Sequence, residues 1–143
     1  MDLKSKQNLA KKDLIMLGAR IKDSRLKRQR IDEMLYNASG VGSMNYDKDS
    51  VQVTPSNSME TILAEVVDLQ REFEKDLQRI YADVEAIDRI SNLNNRLVIQ
   101  LFYINGMTFG QIAAELNKSK STISEWHKRG LTEYFDIKAQ NIV

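Results

Sequence analysis

The chain has 143 residues, no cysteine, one proline and a formal net charge of +1. Its length fits one domain, or one small domain with an extension. The lack of cysteine excludes disulfides and thiolate zinc sites and fits a reducing cytoplasm. We expect no signal peptide and no membrane span, because no apolar segment approaches the roughly 18 residues that a transmembrane helix needs.

The small net charge conceals three segments of different sign. Residues 1–36 carry ten basic and five acidic side chains, residues 37–91 carry five and eleven, and residues 92–143 carry six and four. A protein that holds nucleic acid by bulk charge would be basic throughout. Any DNA contact must therefore come from a local patch.

A long first helix is predicted from Leu3 to Tyr36. Its apolar side chains recur in helical steps, at Leu3, Ala10, Leu14, Leu17, Ile21, Ile31 and Leu35. Ser24 and Arg28 interrupt this stripe. Two explanations stay open. Polar residues at helix–helix contact positions can fix the register of the two helices, or the apolar stripe is simply weak at this point.

Residues 37–58 collect Gly, Ser, Asn, Asp and the one Pro, which predicts a long loop. Within it, VQVT (residues 51–54) has the composition of a short strand but no evident partner strand. A second long helix is predicted to begin near Ser58, which could cap it. Its apolar stripe consists of Ile62, Val66, Leu69, Phe73, Leu77, Ile80, Val84 and Ile87.

The two long helices, each about 45–50 Å in length, are expected to bury their stripes against each other. An antiparallel, coiled-coil-like hairpin over residues 1–91 is the simplest arrangement. The loop could extend to roughly 70 Å, so a parallel pair or an exchange between protomers also stays open. A two-helix hairpin has little core of its own, and a homodimer is therefore expected.

The remaining residues, 92–143, predict three short helices with sharp turns. A buried helix over Asn95–Asn105 is followed by Gly106, where a left-handed C-cap is expected. Thr108 and Gln111 have the spacing of a capping box at the start of the next helix, Phe109–Leu116. Ala113 fits a position where two crossing helices approach closely.

Asn117 is predicted to adopt the left-handed conformation of a tight turn, because Asn tolerates that region best after Gly. Ser119 then caps a last helix, Lys120–Glu133, with Ile123, Trp126 and Leu131 facing the core. His127 is expected to be a partly exposed helix residue with no metal or catalytic role. This spacing predicts a helix-turn-helix whose last helix enters the major groove of DNA.

The exposed face of that recognition helix supplies the candidate contacts. Lys120, Ser121, Ser124 and Glu125 are predicted to meet base edges, because Lys can donate to guanine and Glu can accept from cytosine. Lys118, Lys128 and Arg129 are predicted to anchor phosphates. The full predicted DNA-binding set is Thr108, Gln111, Lys118, Ser119, Lys120, Ser121, Thr122, Ser124, Glu125, Lys128 and Arg129.

Two runs of residues resemble a known family. The pattern R-x-V-x-x-L-x-Y-x-x-G-x-T-F-x-x-I-A over residues 96–113, with S-x-S-T-I-S over 119–124, resembles region four of bacterial sigma factors. The whole chain, including the loop segment 47–58, is similar to small phage and prophage regulators of the ArpU and RinA types. Asn117 and Lys118 depart from the usual Gly and apolar residue at the turn.

The resemblance implies an all-α protein in the bacterial cytoplasm that regulates transcription from promoter-type double-stranded DNA. The leading hypothesis is a sequence-specific phage or prophage late-gene activator acting as a dimer. Two alternatives stay open: a small-terminase-like DNA-packaging subunit, and an adaptor that contacts RNA polymerase. An enzyme is not expected, since one His, no Cys and no phosphate-binding Gly loop offer little chemistry. No cofactor or metal is expected.

Overall fold

The computed structural model describes residues 1–38 and 55–141, with the backbone alone for 55–58 and 141. Every element in these ranges is helical, namely α1 (Leu3–Ala38), α2 (Pro55–Asp88), α3 (Leu93–Ile99), α4 (Phe109–Leu116) and α5 (Lys120–Asn141). The predicted all-α class is confirmed, with two long helices that pack together and a C-terminal helix-turn-helix. No helix in the described ranges is long and apolar enough to cross a bilayer.

Both long helices are longer than predicted. α1 continues past Tyr36 to Ala38, and α2 begins at Pro55 rather than near Ser58. Proline suits the first turn of a helix, because its missing N–H needs no partner there and its φ is already helical. The predicted cap at Ser58 is therefore wrong, since Ser58 lies inside α2. The strand-like segment 51–54 and the centre of the predicted loop lie outside the described residues.

The chain divides into two compact units, residues 1–21 with 79–143 and residues 22–78. In the smaller unit the middle of α1 packs against the first two-thirds of α2. Ile31 and Val66 are buried, and Lys27 Nζ lies 2.7 Å from Asp76 Oδ2. Ile31 and Leu35 of α1 share a cleft with Phe73 and Leu77 of α2.

The larger unit is built around one core that joins five helical segments. Its buried residues are Ala10, Leu14, Leu17, Ala86, Ile87, Ile90, Ile99, Tyr103, Leu131 and Tyr134. Full burial of one Leu or Ile side chain stabilises a fold by about 1.5–3 kcal/mol. This unit includes residues on both sides of position 91, where the sequence suggests a domain boundary. That boundary stays a prediction.

Polar contacts join the start of α1 and the end of α2 to α5 within the larger unit. The Tyr134 hydroxyl donates to Asp13 Oδ2 at 2.6 Å. Lys138 Nζ lies 2.7 Å from Asp83 Oδ1, and Arg20 reaches the other oxygen of the same carboxylate at 3.5 Å. Asp83 is only 4% exposed, so these two cations compensate a carboxylate that is almost completely removed from water.

The helix-turn-helix has a small core of its own inside the larger unit. Val98, Ile112, Ala113 and Ile123 are buried together, one or two from each of the three short helices. Trp126 is half-buried and packs against this cluster, as predicted. Burial of Ala113 at 8% exposure agrees with the prediction of a close helix crossing.

Candidate nucleic-acid interface

The turn that precedes α4 follows from an irregular end of α3. After Ile99 the chain continues as a π-helical segment, Gln100–Ile104, in which Asn105 N–H donates to the Gln100 carbonyl at 3.1 Å. Gly106 then takes a φ of +72°, the left-handed conformation predicted for it. The chain thereby reverses before Thr108 and sets the direction of α4.

A complete capping box opens α4. The Thr108 Oγ1 accepts from the Gln111 N–H at 3.2 Å, and the Gln111 side chain accepts from the Thr108 N–H at 2.9 Å. Both side chains are exposed. The prediction of this cap is confirmed, and its hydrogen bonds fix the position of the α4 N-terminus, where two further N–H groups stay available to an anion.

The turn between α4 and α5 is closed by two backbone hydrogen bonds. Asn117 has φ 58° and ψ 47°, as predicted for a left-handed residue. Its N–H donates to Ala114, and the N–H of Lys118 donates to Ala113 at 2.9 Å. This is the Schellman pattern, so Asn and Lys at these positions close the turn without the usual Gly.

Ser119 caps α5 as predicted. Its Oγ accepts from the Thr122 N–H at 3.2 Å and lies 2.9 Å from the Thr122 hydroxyl. The backbone carbonyl of Ser119 accepts from Ile123. The first turn of the recognition helix is therefore fixed. Thr122 is half-buried, and its hydroxyl is engaged in this local contact.

Most of the predicted contact residues on α5 share its outward face. Ser121, Glu125, Lys128 and Arg129 are exposed, whereas Ser124 is half-buried. Ser121, Glu125 and Lys128 follow one another at steps of four and three, so they form one stripe. This stripe lies opposite the buried residues Ile123 and Gly130.

Lys120 lies to one side of that stripe. A Cβ built on Gly110 would be 3.2 Å from Lys120 Cε and 3.7 Å from its Nζ, so the lysine side chain lies over the first turn of α4. The same Cβ would be 3.9 Å from Thr108 Oγ1. In this conformation the Lys120 ammonium group adds positive charge to the N-terminus of α4, where a phosphate would bind.

Glu125 and Arg129 form an ion pair at 2.6 Å, with about 60% of each side chain exposed. Exposed pairs at this helical spacing contribute only about 0.3–0.5 kcal/mol. DNA phosphates or base edges could therefore replace the pair at small cost. The DNA contacts of both residues stay predictions.

His127 differs from its prediction as a partly exposed residue. It is only 7% exposed, and its Nε2 lies 2.7 Å from the Tyr103 hydroxyl. The rings of Phe102 and Phe109 lie 5.5 and 5.1 Å from the imidazole centroid. Burial, with a smaller contribution from nearby Lys11 and Lys128, lowers the His127 pKa to about 4. The side chain is thus neutral at pH 7 and joins α5 to α4 and to the segment that follows α3.

Sequence reasoning also missed Gly130, the position where α5 crosses α3. A Cβ there would lie 2.6 Å from Ile99 Cγ1 and 3.0 Å from the Asn95 carbonyl oxygen. Glycine is a poor residue for a helix interior. Its presence in the middle of α5 was the signal that could have revealed this close approach.

α5 itself continues to Asn141, eight residues beyond its predicted end at Glu133. The extra turns carry Tyr134 and Lys138, whose partners Asp13 and Asp83 come from α1 and α2. These distant partners stabilise residues that show no clear periodic pattern of their own. Among the described residues, no cluster of His, Asp or Glu could hold a metal ion.

The geometry from the α3 cap at Asn92 to Glu133 coincides with a known family. Residues 92–133 match the family model Sigma-70, region 4. No curated protein and no solved structure matches the chain. The matched segment is a sigma-type helix-turn-helix, and it contains all the predicted DNA-binding residues.

Proposed function

We propose that this protein is a sequence-specific DNA-binding regulator of transcription, which reads promoter-type double-stranded DNA with the first turns of α5. One observation carries this proposal. The segment that matches Sigma-70, region 4 folds into a closed helix-turn-helix with a polar, exposed recognition face. Its three caps, at Thr108, Asn117 and Ser119, fix that face relative to its own small core.

The proposed DNA contacts fall into two groups, those to base edges and those to phosphates. Ser121 and Glu125 point outward and meet base edges with the half-buried Ser124, and Lys120 reaches the adjoining bases from its place over the first turn of α4. Phosphates bind at the N-terminus of α4 through Thr108 and Gln111, with Lys118 beside the turn. Lys128 and Arg129 contact phosphates further along α5.

At a finer level, we propose a phage or prophage late-gene activator that acts as a homodimer through its two long helices. A single recognition face with few cations binds DNA weakly, and two faces on paired half-sites would bind far more tightly. Exposed apolar side chains in the smaller unit, such as Leu26, Leu63 and Val67, support a partner surface there.

A contact with RNA polymerase is the second candidate. The family match to a region of a sigma factor favours it, because sigma factors are subunits of RNA polymerase. Purified polymerase should then bind the Lys120→Ala variant as well as the natural chain in the absence of DNA. Loss of both DNA binding and polymerase binding in that variant would argue against a separate polymerase contact.

The main experiment selects sites from a random duplex library and then titrates the selected duplex at two salt concentrations. Lys120→Ala should relax the preference for the selected duplex over a random one. Lys128→Ala should weaken binding to both duplexes and reduce the salt slope by about 0.9. Lys22→Ala is the matched control, because it removes one exposed charge from the other unit.

Failure of the natural chain to bind any duplex at low salt would overturn the proposed function. Mass in solution tests the dimer separately. A dimer supports a regulator on paired half-sites, a large ring would instead favour a DNA-packaging subunit, and a monomer at all concentrations would contradict both assemblies.

A further inference from the structure

The start of α1 borders the outward face of α5 in the larger unit. Gln7 Nε2 donates to Thr132 Oγ1 at 3.3 Å, and Lys6 Nζ lies 3.2 Å from Asp136 Oδ1. Leu3 and Gln7 line an open cleft whose other walls come from α3 and α5, including Glu125, Lys128, Arg129 and Thr132. The first three turns of α1 therefore lie directly beside residues proposed to face DNA.

This part of α1 carries exposed cations next to Leu3 and Gln7, which line the cleft with Lys128. Lys4 and Lys11 lie seven residues apart, on one helical face, and both are exposed. Lys11 and Lys128 both lie near enough to His127 to lower the pKa of its imidazole. Neither Lys4, Lys11 nor Lys128 belongs to any ion pair among the described residues.

The nearby acidic groups are already engaged. Glu125 is paired with Arg129, and Glu133 accepts from Asn95 Nδ2 at 2.6 Å. Asp136 is paired with Lys6, and Asp2 accepts from the Ser5 N–H. The lysines therefore form a basic strip that no carboxylate of the described chain neutralises by direct contact.

We propose that Lys4 and Lys11 of α1 bind phosphates of the DNA strand that borders the groove entered by α5. This inference rests on the proposed function and extends the DNA interface beyond residues 92–133, the segment that the family match covers. It gives the first helix, whose role would otherwise be structural alone, a direct part in DNA binding.

The dimensions of the two helices and of DNA support a duplex as the occupant. The major groove is about 12 Å wide and accepts one helix. Helices that pack together are separated by about 8–10 Å between axes. A helix packed beside the one in the groove therefore lies over the sugar–phosphate backbone that borders the groove. A lysine side chain of that helix can reach the phosphates.

The first test compares salt slopes for binding of one selected duplex. Lys4→Gln with Lys11→Gln should reduce the slope of log K against log salt by about 1.8, since each lost phosphate contact removes about 0.9. Lys22→Gln with Arg30→Gln removes the same charge from exposed positions of α1 in the other unit, and its slope should match the natural chain.

The two possible failures are distinguishable. If the natural chain binds the duplex and both double variants keep its slope, the role of α1 is wrong and the proposed function stands. Equal slope losses in both variants would indicate a general charge effect and would also refute the α1 contact. If the natural chain binds no duplex, both the proposed function and the proposed α1 contact are wrong.

The second test uses the absence of cysteine from the chain. Asn8→Cys, between the two lysines, accepts a tethered iron–EDTA group that cleaves the DNA backbone close to it. Cleavage should be confined to a few consecutive nucleotides of the DNA backbone next to the selected site. Gln29→Cys, in the other unit, should give no localised cleavage. Absence of cleavage from Asn8→Cys on a bound duplex would contradict the proposal.

Discussion

The close approach of α5 to α3 at Gly130 leads to a prediction about stability. Gly130→Ala should destabilise the protein, although alanine is the better helix former by about 1 kcal/mol. The new Cβ would lie 2.6 Å from Ile99 Cγ1 and 3.0 Å from the Asn95 carbonyl oxygen. Ile99 is fully buried and the oxygen belongs to the backbone, so neither atom can move away cheaply.

Overpacking of this kind costs about 1–3 kcal/mol, and a contact of 2.6 Å belongs at the upper end of that range. After subtraction of the helix gain, the free energy of unfolding should fall by about 1–2 kcal/mol. Gly110→Ala is the matched control. Its Cβ would meet only the flexible end of Lys120, at 3.2 Å, so that variant should be neutral or slightly stabilised.

Urea unfolding of both variants, followed by circular dichroism, measures the difference directly. The two midpoints should move in opposite directions, or only the Gly130 variant should move. If Gly130→Ala were as stable as Gly110→Ala, helix propensity would dominate, and the close packing of α5 on α3 would not be the reason for glycine at this position.

Three further predictions use the same unfolding assay. The pKa of buried His127 is about 4, well below its ordinary 6.5, so the unfolded chain takes up a proton first as pH falls and stability declines between pH 6.5 and 4. From pH 7 to pH 5 this lowers the free energy of unfolding by about 2 kcal/mol. His127→Gln should show a correspondingly smaller decline, and an equal decline in both proteins would refute the assignment. Asn117→Ala should cost about 1 kcal/mol because of its positive φ, whereas Asn117→Gly should not; equal losses would argue against strain at the turn. Asp83→Asn should cost about 2 kcal/mol, since Lys138 loses its charged partner, and unchanged stability would mean that this pair contributes nothing net.

Features set by neighbouring residues were predictable from the sequence. The capping box of Thr108 and Gln111 needs only a spacing of three, and Gly106 and Asn117 take left-handed backbone that few other residues tolerate. Ser119 caps α5 for the same local reason. These signals were sufficient to define the helix-turn-helix and its outward face.

Features set by distant residues were not predictable. The His127 environment is built by Tyr103, Phe102 and Phe109 from other helices, and a lone histidine in a polar helix gives no sign of it. The end of α5 depends in the same way on partners in α1 and α2. α2 begins at Pro55, earlier than predicted, because proline also suits the first turn of a helix and its loop-like neighbours do not reveal this.

Nothing in the sequence associates the start of α1 with the recognition helix. Gln7 and Thr132 are 125 residues apart in the chain. Only the packed structure brings the basic side of α1 next to Lys128. The charge excess of residues 1–36 was visible from the start, and the arrangement of α1 beside α5 now gives part of it a specific role.

The most direct test of the account is competition binding between the selected duplex and a random duplex of equal length, measured at physiological salt. A helix-turn-helix that reads bases should prefer the selected duplex by roughly 10³-fold or more. Equal affinity for the two duplexes, or no binding to either, would contradict the claim that α5 reads DNA sequence.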